Sequence, residues 1–394
     1  MKKHICFIYL FLWCIYYLQG VVYASGGLIS RVLLLILLLI TVYYFFYAHE
    51  KYRLPKVLSV LSILVLIWTL YGGAYILTGS SGRSYLYLKK IYISLLPVFP
   101  IYVFTKQGKL TLPILQKWGV VFLVMCILQY YRYRSEELGL IYGETDIGDE
   151  LTNNAGYTML SLIPLIPVYN KKPLLQYVLI GIISYFVISS MKRGAILIAA
   201  ISFIWFIYIS YKTNRLSSKQ IWRGLLLIVL LVAGFFVVQN LLLTSDYFNY
   251  RIEQTREGNS SARDIIYGKF FNYFIYENDV ATFLFGNGAD FTRKHLGTFA
   301  HNDWLEIAIN NGLWMVIIYL IYWIRFAGTV KRYKKNTLLF QIVGLFFLNH
   351  FLRTIISMSY SSVLVYASVP LGYALAFYGG NSIAPLDENI NNQQ

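Results

Sequence analysis

Stretches free of Asp, Glu, Lys and Arg recur along the chain at 4–30, 32–49, 57–82, 91–105, 118–131, 151–170, 173–191, 194–211, 224–245, 307–324, 336–352 and 354–386. A helix of roughly 20 apolar residues crosses the hydrocarbon core of a bilayer, so these runs predict about twelve transmembrane helices. The windows 91–105 and 118–131 are short. They are expected to gain length from flanking Lys89, Lys90, Lys117 and Arg132, whose apolar stems let the charges snorkel.

Composition supports that reading. With 58% hydrophobic and 13% charged residues and a mean hydropathy of +0.56, the chain is too apolar for a water-soluble protein and reads as an all-α polytopic membrane protein. Many of its 36 tyrosines stand at segment ends, as at Tyr43-Tyr44, Tyr130-Tyr131 and Tyr319, Tyr322 and Trp323, where aromatic rings anchor helices in the interface. Cys6, Cys14 and Cys126 sit in apolar stretches, which argues against a disulfide framework or a thiolate metal site. The N-terminus reads Met1-Lys2-Lys3 and then an apolar run to about Tyr23, with a conceivable signal-peptidase site at Val22 and Ala24. That run is long for the core of a signal peptide and is expected to stay as the first span.

The net charge of +16 would suggest nucleic acid only if the basic residues gathered on one surface. With a cytoplasmic N-terminus, the inside segments hold 19 basic and 3 acidic residues, and the outside segments 14 and 15. This is the positive-inside distribution. It puts both termini in the cytoplasm and assigns the charge to orientation, so no nucleic-acid partner is expected. Residues 1–245 then form helices 1–9, 246–306 a large outer loop, 307–380 helices 10–12, and 381–394 a disordered polar tail.

The outer loops differ from the turns. One, about 132–150, is acidic; the other, 246–306, is far longer than a connection between spans requires. Within the long one, Ser260-Ser261-Ala262-Arg263-Asp264 has the spacing of a helix start, followed by Ile266, Phe270, Phe271 and Phe274. An amphipathic helix over 262–277 is expected, lying on the membrane or against the bundle. Gly286-Asn287-Gly288 reads as a turn.

Four positions on the outer face can carry chemistry. Lys192-Arg193 lies in a tight outside turn before a helix beginning at Gly194, where free N–H groups and a guanidinium suit an anion, although a pair of charges on headgroups would look the same. Arg263 opens the loop helix, with Asp264 and Glu257 near enough for an ordinary surface pair. His301, in Ala300-His301-Asn302-Asp303-Trp304, can accept a proton at neutral pH, with Asp303 and Glu306 close enough to orient it or simply to favour a helix start. His350 and Arg353 share one face of the eleventh span, and ionisable residues inside a span suggest a site or a snorkelling anchor.

These residues resemble a family. His301-Asn302, nine residues and then Gly312 is similar to the motif of the O-antigen ligase and O-antigen polymerase superfamily of bacterial membrane glycosyltransferases. So are Arg193 after Ser189-Ser190, and Arg263 followed later by Gly286-Asn287-Gly288. Some ligases carry a second glycine where this chain has Met315, which shifts the resemblance toward the polymerase branch. The resemblance implies a GT-C-like fold in the inner membrane with the long loop in the periplasm. It implies an undecaprenyl-diphosphate-linked glycan as donor and a glycan or lipid A core as acceptor, with membrane lipids around the bundle. His301 would be the catalytic base of an inverting transfer, Arg193, Arg263 and Lys192 would bind the diphosphate, and Arg353, His350 and Asp303 would be secondary candidates. The transfer would use no metal and no cofactor; the sequence itself has no Asp-x-Asp pair. Polymerase is favoured over ligase. A lipid-linked glycan flippase or transporter is the alternative of another class, though no internal repeat is visible.

Overall fold

The computed structural model describes residues 4–77, 84–141, 155–190, 192–213 and 263–378, with the single positions 234, 236, 240, 253 and 256. Those residues form helices α1 (His4–Tyr17), α2 (Leu28–Lys51), α3 (Lys56–Leu77), α4 (Ser84–Leu95), α5 (Val98–Lys106), α6 (Leu112–Ile141), α7 (Ala155–Leu160), α8 (Pro173–Ser189), α9 (Arg193–Thr213), α10 (Arg263–Asn272), α11 (Val280–Phe285), α12 (Phe291–His295), α13 (Asp303–Arg332), α14 (Thr337–Ile356) and α15 (Val365–Leu375). No strand occurs among the described residues.

Seven helical segments are long and apolar enough to cross a membrane: Leu28–Lys51, Lys56–Leu77, Leu86–Lys106, Leu112–Arg132, Arg193–Lys212, Asp303–Lys335 and Thr337–Ile356. Four shorter apolar helices, His4–Tyr17, Ala155–Tyr169, Pro173–Ser189 and Val365–Leu375, fall in four more of the charge-free windows. The protein is thus an all-α, multi-pass membrane protein. The window 224–245, the acidic stretch after Ile141, the loop residues just before Arg263 and the tail 381–394 lie outside the described residues, apart from the single positions named above.

Several windows are subdivided for visible reasons. The first holds a helix only to Tyr17, because Gly20 and Gly26 take positive φ of 76° and 72° and turn the chain back. Leu96-Pro97 separates α4 from α5, and α7 passes into a 3-10 helix, Ile163–Tyr169, that contains Pro164 and Pro167. The short window 118–131 does gain length on both sides, as α6. Arg132 then donates to the Gln19 carbonyl at 2.5 Å and to Ser25 Oγ at 3.0 Å, tying α6 to the loop after α1.

At the centre stands α15, buried at every position. It packs on α5 so closely that a Cβ at Gly372 would meet the Val98 carbonyl oxygen at 2.8 Å. Around it, α14 lies against α9, α13 and the 3-10 segment, while α3 packs on α4 and α13. The stub from α10 to α12 sits at the end of the bundle where α13 begins, with α11 packed on α13.

Candidate functional site

The end of the bundle that carries His301 is built around the last turn of α14. Trp304 Nε1 donates to Thr354 Oγ1 at 3.0 Å, and Asn302 Nδ2 donates to the Ile355 carbonyl at 3.3 Å. Tyr267, on α10, donates to both the Ile355 and His301 carbonyls at 3.3 Å. The start of α9 reaches the same turn, since a Cβ at Gly194 would lie 2.5 Å from both Ile356 Cγ2 and the Tyr157 hydroxyl. The Ile355 carbonyl, free at the C-terminus of α14, accepts donors from α10 and from the start of α13, and α9 joins them by packing.

His301 is held by its backbone. Its φ of 52° is left-handed, which is uncommon outside glycine, and it turns the chain so that Asn302 caps α13. Asn302 Oδ1 accepts from Trp304 N at 2.9 Å and Leu305 N at 3.2 Å. The imidazole reaches the surface, yet the groups around it desolvate it. That desolvation, then the charges of Arg263 and Lys192, hold it below its ordinary value of 6.5. Burial and both cations thus disfavour its protonated form. Arg263 stands four residues before Tyr267 on α10, on the same helix face as the hydroxyl that donates to the His301 carbonyl. Arg193 is the first residue of α9, and Lys192 N–H donates to Ser190 Oγ at 3.4 Å just before it.

Of the two expectations for the carboxylates, the helix start holds, since Asp303 and Glu306 both stand in the first turn of α13. Asp303 is fully buried and accepts from Tyr319 Oη at 2.7 Å, Ser359 N at 2.8 Å and Tyr360 N at 3.1 Å. Glu306 accepts from Thr292 Oγ1 at 2.5 Å, Ala300 N at 2.8 Å and Asn310 Nδ2 at 3.0 Å. Neither makes a hydrogen bond to His301 among the described residues. Asp303 and Glu306 fasten the loops on either side of the imidazole and do not orient its ring, because both side chains point into the packed interior.

His350 and Arg353 also turn inward. Arg353 is nearly buried, lies over the Tyr157 ring at 4.8 Å and donates to the Ser362 carbonyl at 3.4 Å, so it is not a snorkelling anchor. His350 pairs through Nδ1 with Ser359 Oγ at 3.2 Å and lines an apolar cavity with Trp68, Tyr319 and Phe346. Arg353 is therefore joined through Tyr157 to the start of α9, whereas His350 belongs to the bundle interior.

The glycines fix the loop. Gly312 breaks α13 with φ 81° and ψ 174°, which frees the Ile309 and Asn310 carbonyls. Asn287 N and Gly288 N donate to them at 3.0 and 2.9 Å, and Gly286, at φ 79°, approaches so closely that a Cβ there would meet Asn311 Cα at 2.5 Å. Tyr71 of α3 donates to the Phe285 carbonyl at 2.5 Å and closes the junction. Gly286-Asn287-Gly288 is thus the turn expected, and it is docked on the helix break that Gly312 makes.

This is the arrangement of a loop with two glycine signatures locked together, carrying a histidine beside an arginine-bearing helix. Residues 178–320 match the O-antigen ligase family. The match covers a little over a third of the chain and places that stretch in the O-antigen ligase and polymerase superfamily. Within the O-antigen ligase domain lie Lys192, Arg193, Arg263, His301 and Asp303; His350 and Arg353 lie beyond it. No curated protein matches the chain. The match and the apolar helices together support a membrane enzyme related to O-antigen assembly.

The expected loop helix is present as α10, continued by a π turn at Tyr273–Glu277, but it is not cleanly amphipathic. Phe270 is buried against Ala300 and Ile309, while Ile265, Phe271, Ile275 and Tyr276 are exposed on other faces. Tyr267 and Tyr157 were not singled out by the sequence pattern. Tyr267 had one signal, its spacing of four from Arg263.

Proposed function

We propose that the protein is an inverting glycosyltransferase acting at the periplasmic face of the inner membrane on an undecaprenyl-diphosphate-linked glycan. His301 is the base. Its neutral imidazole takes the proton of an acceptor hydroxyl as that oxygen attacks the donor's anomeric carbon. The bond from that carbon to the diphosphate oxygen breaks, and the electron pair leaves with the diphosphate. Arg193, Arg263 and Lys192 bind the diphosphate and stabilise the charge gathering on it. Tyr267 is a positioning residue, and Arg353 supports the start of α9 through Tyr157.

The observation that carries this reading is the pair of charges acting on His301. Desolvation and then the charges of Arg263 and Lys192, from segments far apart in sequence, lower its imidazole below the usual value. A base beside a cationic cluster is what attack on a carbon bearing a diphosphate leaving group needs. No residue of the site distinguishes acceptors.

Polymerisation of O-antigen or capsule repeat units follows the sequence resemblance, with Met315 in place of a second glycine. Transfer to lipid A core follows the matched description, O-antigen ligase. Purified protein in nanodiscs, given lipid-linked repeat units alone, tests both. A ladder of products supports polymerisation. Transfer only after addition of lipid A core supports ligation, and no transfer in either case refutes the glycosyltransferase reading.

A further inference from the structure

At the end of the bundle opposite His301, four cations share one cleft. Arg53 and Lys56 come from the turn into α3, Lys106 from the last turn of α5 and Arg332 from the last turn of α13. With Tyr52, Tyr102 and Tyr378 they line an open space of about 1160 Å³. Its frame is tied together. Tyr333 Oη donates to the Ala374 carbonyl at 2.9 Å, joining the ends of α13 and α15, and Gln107 Nε2 donates to Tyr47 Oη at 3.3 Å, joining α5 to α2. Two of the cations are placed by rings: the Lys106 ammonium lies 5.9 Å from the centre of Tyr102 and the Arg332 guanidinium 5.1 Å from the centre of Tyr378. No described carboxylate lines the cleft, and among the described residues none forms an ion pair with any of the four. Glu50, the acid closest to Arg53 along the chain, is exposed and pairs with Lys51 at 2.6 Å.

Orientation in the membrane accounts for cations at this end but not for their convergence on one space. Lys331, Lys334 and Lys335 stand beside Arg332 in sequence, are exposed, and do not line the cleft. A cation in the last turn of a helix also meets the favourable end of the dipole, yet that holds wherever its side chain points. Like charges around one concave space raise its positive potential, which a bound anion offsets. The depth of the cleft points to the source of that anion. Lys56, Lys106 and Arg332 stand at or near the ends of the membrane-crossing segments Lys56–Leu77, Leu86–Lys106 and Asp303–Lys335, which is the level of lipid headgroups. A phosphate carried by a lipid reaches that level with its acyl chains still in the bilayer, and basic pockets between spans hold such headgroups.

We propose that this cleft binds an anionic phospholipid, its headgroup phosphate held by Arg53, Lys56, Lys106 and Arg332. The site is separate from the one at His301, because the 30 residues of α13, up to about 45 Å at the usual helical rise, lie between them. It does not depend on the glycosyltransferase reading.

The test uses the delipidated full-length protein in a neutral detergent, with binding measured for four probes: cardiolipin, phosphatidylglycerol, phosphatidylcholine and inorganic pyrophosphate. Wild type is expected to bind at least one of the two anionic lipids about tenfold or more tightly than phosphatidylcholine, a preference of about 1.4 kcal/mol. Pyrophosphate, which separates a free anion from a headgroup, should bind more weakly than that lipid. Lys106→Gln/Arg332→Gln should lose most of the preference, and so should Arg53→Gln/Lys56→Gln, which changes only the exposed turn and serves if the first variant does not fold. Lys334→Gln/Lys335→Gln removes the same charge outside the cleft and should keep the preference, as should Lys106→Arg/Arg332→Lys. The proposal is overturned if wild type shows no preference, if pyrophosphate binds more tightly than both anionic lipids, or if a folded cleft variant binds as the Lys334→Gln/Lys335→Gln control does. Loss of the preference in Arg193→Gln/Arg263→Gln instead would place the lipid at the His301 end and overturn it as well.

Discussion

Gly312→Ala should unfasten the loop that carries His301. At φ 81° and ψ 174°, Gly312 occupies a region open almost only to glycine, and an alanine there costs about 1–3 kcal/mol in backbone strain. The added Cβ would also lie 2.5 Å from the Gly286 amide nitrogen, with the Leu284 carbonyl against it as well. Backbone atoms of a docked loop cannot swing aside as a flexible side chain can. Relief means moving 284–288 off α13, which loses the bonds from Asn287 and Gly288 to the Ile309 and Asn310 carbonyls at about 1 kcal/mol each. The total is about 3–5 kcal/mol. Gly328 is the control, because it lies in the same helix with nothing within 4 Å of its built Cβ. Alanine there should be neutral or stabilising by up to about 1 kcal/mol. The assay is thermal unfolding of detergent-solubilised protein followed by size-exclusion chromatography, alongside glycan transfer. Gly312→Ala should melt several degrees lower and lose transfer, and Gly328→Ala should match wild type. Equal melting and equal activity for both variants would refute the idea that the helix break docks the loop.

Arg263→Gln should move the acid limb of the pH–rate profile to higher pH. In the proposed role the imidazole must be neutral to act, and it sits below 6.5 partly because of this charge, so removing the charge raises it and protonation begins at higher pH. Lys192→Gln should shift it the same way by less, and a limb that stays fixed or moves to lower pH contradicts the assignment. Asp303→Ala should destabilise the protein by about 3–5 kcal/mol, because it strands the Tyr319 hydroxyl and the Ser359 and Tyr360 amides in the interior. Thermal unfolding checks this, and a variant as stable as wild type would mean that Asp303 is not the fastening described.

The windows without charge located the described helices of the bundle, though not α10 to α12, because lipid tolerates few ionised groups, and that constraint is local in sequence. It does not show where a window breaks. Gly20 and Gly26, the Leu96-Pro97 step and Pro164 with Pro167 end helices inside runs that look continuous, and Gly312 bends one that is. Arg193 and Arg263 stand out as charges that orientation leaves unexplained, and His301 as a proton acceptor at the same face. Their closeness was not legible, since it depends on contacts such as that from Tyr267 to Ile355, between segments 88 residues apart. For the same reason the sequence leaves open whether Asp303 and Glu306 orient the imidazole or only start a helix. Sequence spacing brought them near it, but the turn at His301 sends the chain in another direction and α13 points both carboxylates inward.

His301→Gln keeps a polar side chain of similar reach and removes the proton acceptor. In purified protein supplied with lipid-linked repeat units, and with lipid A core in a parallel reaction, the rate of glycan transfer should fall by about 10²–10⁴-fold, the usual contribution of a positioned general base. Affinity for undecaprenyl diphosphate should stay at the wild-type value, because in the proposed site the arginines and not the histidine hold it. Transfer at a rate within a factor of about two of wild type would contradict the account.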